Sequence, residues 1–194
     1  VLETFSFLWF TYLGTQIGED FVAANAILIN LVFLSAFILD AYAFSTEGIV
    51  GYSLGKKDLN LFKKIIKNSF ILSSLSGLVI SIIYLFTYDH VINLMSDIKE
   101  IRELSTSYVV WLIILPIISS FCYQFDGIFI GTSQTKELRN AMIFSVLIYL
   151  IISILLTKFL FNTGIWISLC IFMILRAISL FYYLDKIYLR FRSN

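Results

Sequence analysis

An all-α bundle that crosses a membrane six times is the fold this sequence predicts, and three observations carry it. The 194 residues are 59% hydrophobic and only 14% charged, whereas soluble domains carry about 25% charged residues. The apolar residues gather into long stretches separated by short polar connectors, with no alternating strand pattern among them. The basic residues then favour every second connector. That much apolar surface cannot be hidden in a soluble core of this size, so much of it must face lipid. In hydrocarbon every backbone amide must be satisfied within the chain, which leaves helices.

The first helix is predicted over 1–17, ending at Gly18-Glu19-Asp20, and the second over 21–54, ending at Gly55-Lys56-Lys57-Asp58. A third covers 65–86. The fourth covers 104–131, and Pro116 inside it is expected to kink it because proline removes one backbone donor. The fifth and sixth cover 141–160 and 165–184. Lys56, Lys57, Lys63, Lys64 and Lys67 follow the second helix, Lys136 and Arg139 the fourth, and Lys186, Arg190 and Arg192 the last. The opposite connectors hold Glu19 and Asp20, then Asp89, Asp97, Lys99 and Arg102, then Lys158. This alternation places the basic connectors and both ends of the segment in the cytoplasm. The lysine cluster also suits contact with anionic lipid headgroups.

Val1 opens the chain in mid-pattern, without a charged leader, and the segment reads as a fragment of a longer protein. Cys122 and Cys170 fall in apolar stretches and read as small buried side chains. His90 is the sole histidine and has no ligand partner at metal-binding spacing, so no metal or cofactor is expected. Phosphate loops, nucleophile elbows and zinc-protease motifs are absent, so an enzyme is not expected, nor is nucleic-acid binding.

Charges inside hydrocarbon cost about 2.5–3.5 kcal/mol each on insertion scales and usually line a cavity or meet a partner. Glu3, Asp40, Glu47, Asp126, Lys158 and Arg176 fall within the apolar stretches. Glu47 and Lys158 lie near segment ends, where interfacial anchoring accounts for them. At 1.5 Å per residue, Glu3 sits about 22 Å inward of Gly18, Asp40 about 25–30 Å below the outer end of its helix, and Asp126 about 10–15 Å above Ser133. All three fall in the inner half of the membrane, with Arg176 nearer the middle. Asp126, Glu3 and Asp40 are therefore candidates for one cation- or proton-exchanging cavity, with Arg176, Gln124, Tyr123 and Glu47 as counter-ion or polar lining. A structural ion pair between Asp126 and Arg176 is the alternative. Gly127 and Gly131 follow Asp126 at the small-xxx-small spacing that lets helices approach closely.

Two stretches carry a resemblance to a known family. The run LGTQIGEDFVAANAILINLVFLSAFILDAYAFSTEGIVGYSLGKKD, Leu13–Asp58, resembles helices seven and eight of MATE (multidrug and toxic compound extrusion) transporters of the DinF-like branch. The run YQFDGIFIGTSQTKELRNAM, Tyr123–Met142, resembles that branch's signature at the end of helix ten, and the similarity continues through Leu175-Arg176. The resemblance implies a twelve-helix antiporter of a bacterial cytoplasmic membrane, built from two six-helix lobes, of which this chain would be the C-terminal one. It implies export of small amphipathic or cationic substrates, driven by H+ or Na+, with the N-terminal six-helix lobe as partner. Asp126 stands at the family's acidic position in helix ten, and Glu3 at a glutamate that part of the family carries in helix seven. A lipid-linked substrate flippase of related architecture and a small non-transporting membrane scaffold are the other two readings.

Overall fold

The computed structural model describes residues 2–192, the last by its backbone alone; Val1, Ser193, Asn194 and the Arg192 side chain lie outside the described residues. The elements are α1 (Leu2–Thr15), α2 (Glu19–Gly55), α3 (Leu59–Met95), α4 (Lys99–Ser107), α5 (Val109–Gly131) and α6 (Thr135–Arg192). Four of these, α2, α3, α5 and α6, are long and apolar enough to cross a membrane.

The 58 residues of α6 are not one rod. Phe161 takes φ 50° and ψ −132°, and the chain doubles back there. Lys186 and Glu137, 49 residues apart, form an ion pair at 3.0 Å, which a straight helix would forbid by tens of ångströms. The arms 135–160 and 162–192 thus stand where the fifth and sixth spans are predicted. Gly164 sits against the Leu156 backbone at the bend, where no side chain would fit.

Two turns share one construction. After α2, the Asp58 N–H donates to the Ser53 carbonyl and Lys57 to Leu54, both at 3.0 Å, with Lys57 at φ 54°. After α5, Gln134 donates to Phe129 (2.8 Å) and Ser133 to Ile130 (2.9 Å), with Ser133 at φ 58°. This is the paired helix-ending bond pattern usually closed by glycine. Asp58 then caps α3 by accepting from the Leu61 N–H at 2.9 Å.

Two expectations need correction. The polar stretch after the third helix is not a plain connector: α3 runs on to Met95, and residues 99–107 form the short helix α4, which turns Ile101 and Ser105 inward. The fourth span, expected from 104, is divided at Tyr108, and α5 runs as one helix through Pro116. Pro116 lacks an N–H, so one carbonyl a turn earlier loses its donor. α3 leans directly on the helix there: a Cβ on Gly77 would lie 2.7 Å from the Pro116 carbonyl oxygen.

α5 is the central helix and packs on both α2 and α3. Apolar helices gain little hydrophobic drive from meeting in lipid, so close approach supplies the attraction. Gly127 rests on the Ala43 backbone and Gly131 on that of Glu47, while Gly51 answers from α2 with 3.0 Å between its virtual Cβ and the Gly131 carbonyl. Ile71, Leu75, Leu78, Ile82 and Phe86 recur along α3 and stay exposed, as does Leu147 on α6, which is the pattern of a lipid-facing flank. The buried apolar residues form two clusters. One includes Leu39, Ala43, Tyr123 and Met173; the other includes Val50, Phe125, Ile128 and Leu180. Arg176 lies between them in sequence on α6, and Asp126 falls among members of the second on α5.

Candidate functional site

Four helices deliver the polar residues to one place. Glu3 comes from the first turn of α1, Asp40 from the middle of α2, Tyr123 and Asp126 from α5, and Arg176 from the returning arm of α6. Asp126 and Arg176 can reach each other because their helices pack side by side. The Arg176 Nη2 donates to Asp126 Oδ2, and its Nη1 lies 3.3 Å from Glu3 Oε1. One guanidinium therefore bridges two carboxylates from different helices.

Exposure grades outward across this bridge. The Arg176 side chain is 5% exposed, that of Asp126 13% and that of Glu3 33%. Glu3, Asp40 and Tyr123 then line a single cavity of about 310 Å3, walled by Phe7, Phe33 and Phe37. The buried end is under-satisfied: among the described residues Asp126 Oδ1 and Arg176 Nε have no hydrogen-bond partner, and Arg176 Nη1 has its ion pair with Glu3 but no hydrogen bond. An unpaired charged atom in such a place is costly, so this end of the cluster retains capacity for a further partner.

The other sequence candidates separate from this group. Gln124, next to Asp126's neighbour, faces α2 and accepts a 2.9 Å bond from the Thr46 hydroxyl, while its Nε2 is buried without a hydrogen-bond partner among the described residues. Glu47 is half-buried and makes no ion pair among the described residues, and its backbone is the surface on which Gly131 rests. Lys158 is exposed just before the α6 bend. The described residues contain no group of three or more His, Cys, Asp or Glu suited to a metal ion.

A second polar centre was not anticipated from the sequence. Asn25 on α2 and Asn162 at the α6 bend exchange both amide hydrogen bonds (2.6 and 3.0 Å), and the Trp166 indole N–H adds a third at 3.0 Å to Asn25 Oδ1. All three are buried. Asn162 reads as part of a polar connector in the sequence, and its partner is 137 residues away, so no local signal joins them.

Against this geometry, a family model described as MatE matches residues 1–156. The chain belongs to the MatE family. The DNA damage-inducible protein F of Escherichia coli (strain K12) is 32% identical over 170 residues, which cover 88% of this chain and 37% of that protein. Two solved structures share the fold. The outward-facing conformation of a multidrug resistance MATE family transporter of the MOP superfamily matches with TM-score 0.89 at 14% identity, over 99% of this chain and 44% of its own. A crystal structure of MATE in complex with MaL6 matches with TM-score 0.86 at 13% identity, over 98% and 44%. The chain thus spans less than half the length of these relatives. As a MatE-family chain with several membrane-spanning helices, it is a multi-pass membrane protein.

Proposed function

We propose that this MatE-family chain is the C-terminal lobe of an ion-coupled antiporter that exports organic cations or amphipathic compounds by alternating access between two six-helix lobes. The lobe lies in the bacterial cytoplasmic membrane with both of its ends in the cytoplasm. The observation that carries the reading is the shared guanidinium: Glu3 and Asp126 meet one arginine, Arg176, beside a cavity that Glu3 and Asp40 line.

Charge counting explains why such a group drives transport. Three ionised carboxylates against one guanidinium leave two negative charges without a partner inside a low-dielectric bundle. Each is costly there, and taking up H+ or Na+ removes the cost. A conformation that opens the cavity to the other side of the membrane releases the ion, so ion binding biases one conformation over the other. Tyr123 and the three phenylalanines supply the faces that attract cations and flat apolar rings.

Asp126→Asn in the intact protein tests this. Drug accumulation in cells is expected to rise to that of a strain lacking the transporter, with the inserted amount of protein unchanged. Undiminished export by the variant rejects the coupling role.

A further inference from the structure

A metal cation held by carboxylates needs several oxygens converging on one point, because hard cations are bound through oxygen ligands. In this chain the point where Asp126 and Glu3 converge is already taken. The Arg176 guanidinium lies on Asp126 Oδ2 and 3.3 Å from Glu3 Oε1, with its side chain 5% exposed. Glu3 from α1 and Asp126 from α5 touch it, and Asp40 from α2 and Cys122 and Tyr123 from α5 lie within its electrostatic reach. A guanidinium stays charged at any pH a cell meets and is covalently tied to its helix, so it cannot be exchanged as a bound ion can. Its Nε and Nη1 still have donors to spare, so it can tighten on Glu3 without leaving Asp126.

We propose that Arg176 is a resident cation that closes this acidic cluster to Na+ and other metal cations, and leaves proton exchange at the cavity-facing Glu3 and Asp40 as its coupling chemistry. The proposal rests on reading the cluster as the coupling site and goes further by naming the ion and the residue that selects it. Asp126 then serves to hold Arg176 in position, while Glu3 and Asp40 meet the exchanging proton. Arg176 is a specificity residue that works by occupying space and supplying charge, the two things a metal ion would otherwise provide.

Thermal unfolding of the intact protein in detergent, with Na+ replaced by choline at constant ionic strength, reads this without any transport step. The wild-type Tm is expected to be indifferent to Na+. Arg176→Gln leaves the converging oxygens without their cation, and its Tm is expected to rise with Na+ to a plateau. Arg176→Lys, which keeps a charge, is expected to show no such rise, nor is Arg176→Gln combined with Glu3→Gln. A saturating Na+-dependent rise in the wild-type Tm overturns the proposal, and that titration decides even where Arg176→Gln does not fold. A folded Arg176→Gln that ignores Na+ overturns it too. Normal drug export by Asp126→Asn, by contrast, removes the coupling reading while leaving the Na+ titration to report on whether Arg176 excludes metal.

Discussion

Ser133 and Lys57 close helices in the left-handed backbone region, at φ 58° and 54°, where a side chain crowds the following carbonyl. The chain has nine glycines, and none of those described is used in the left-handed region. Both turns therefore hold a strain that glycine would relieve, offset in part by the greater freedom glycine has when unfolded. Ser133→Gly is expected to stabilise the protein by about 0.5–1 kcal/mol, and Ser133→Val to destabilise it by at least as much. Thermal unfolding in detergent measures both, and equal Tm values for the two variants would show that the turn carries no strain. At this same scale, Glu3, Asp40, Asp126 and Arg176 stood out as charges in apolar runs, but the same signal flagged Glu47, which stands apart. The cluster's wiring was not readable. Ruler estimates place Arg176 nearer the membrane centre than Asp126, and the length of the arginine side chain covers that offset.

Between elements, the closest approach is the crossing of α2 and α5. Gly127 and Gly131 touch the backbone at Ala43 and Glu47, so any Cβ there displaces main chain. Gly127→Ala is expected to cost about 1–3 kcal/mol, as overpacking does, and to lower the folded yield. Gly48, with open space around its Cβ, serves as the control, and Gly48→Ala should leave the melting curve in place. A harmless Gly127→Ala would mean that the two helices do not meet as described. The glycine spacing was legible because small residues four apart mark one helix face. The apolar stretches were legible because hydropathy is a local property. Helix α4 was not: its nine residues are mostly polar, and only two of them turn inward. Pro116 ends no helix: α5 runs on through it, with α3 touching at Gly77.

Over the whole molecule, the hairpin of α6 decides whether Arg176 arrives at the cluster, and two contacts hold that hairpin. Glu137 and Lys186 pair at its open end, and Asn25 with Asn162 and Trp166 pins its bend to α2. The asparagine pair buries two amides whose partners are each other, so losing one strands the other. Asn25→Leu and Asn162→Leu singly are each expected to cost about 1–3 kcal/mol, and the double variant less than their sum. A double-mutant cycle on Tm checks this, and strict additivity would dissolve the pair as a unit. Long-range pairing of this kind leaves no trace in a single sequence, because neither residue predicts which distant helix will face it.

Arg176 rides on the returning arm of α6, Asp126 on α5 and Glu3 on α1. The arginine is like the pivot of a balance with a carboxylate in each pan. If α1 slides outward, the whole positive charge passes to Asp126, and Glu3 is left bare beside the cavity. If α1 returns, the charge is divided again. Helix displacement and local electrical potential then become a single coordinate, so that whatever pushes on one is felt by the other.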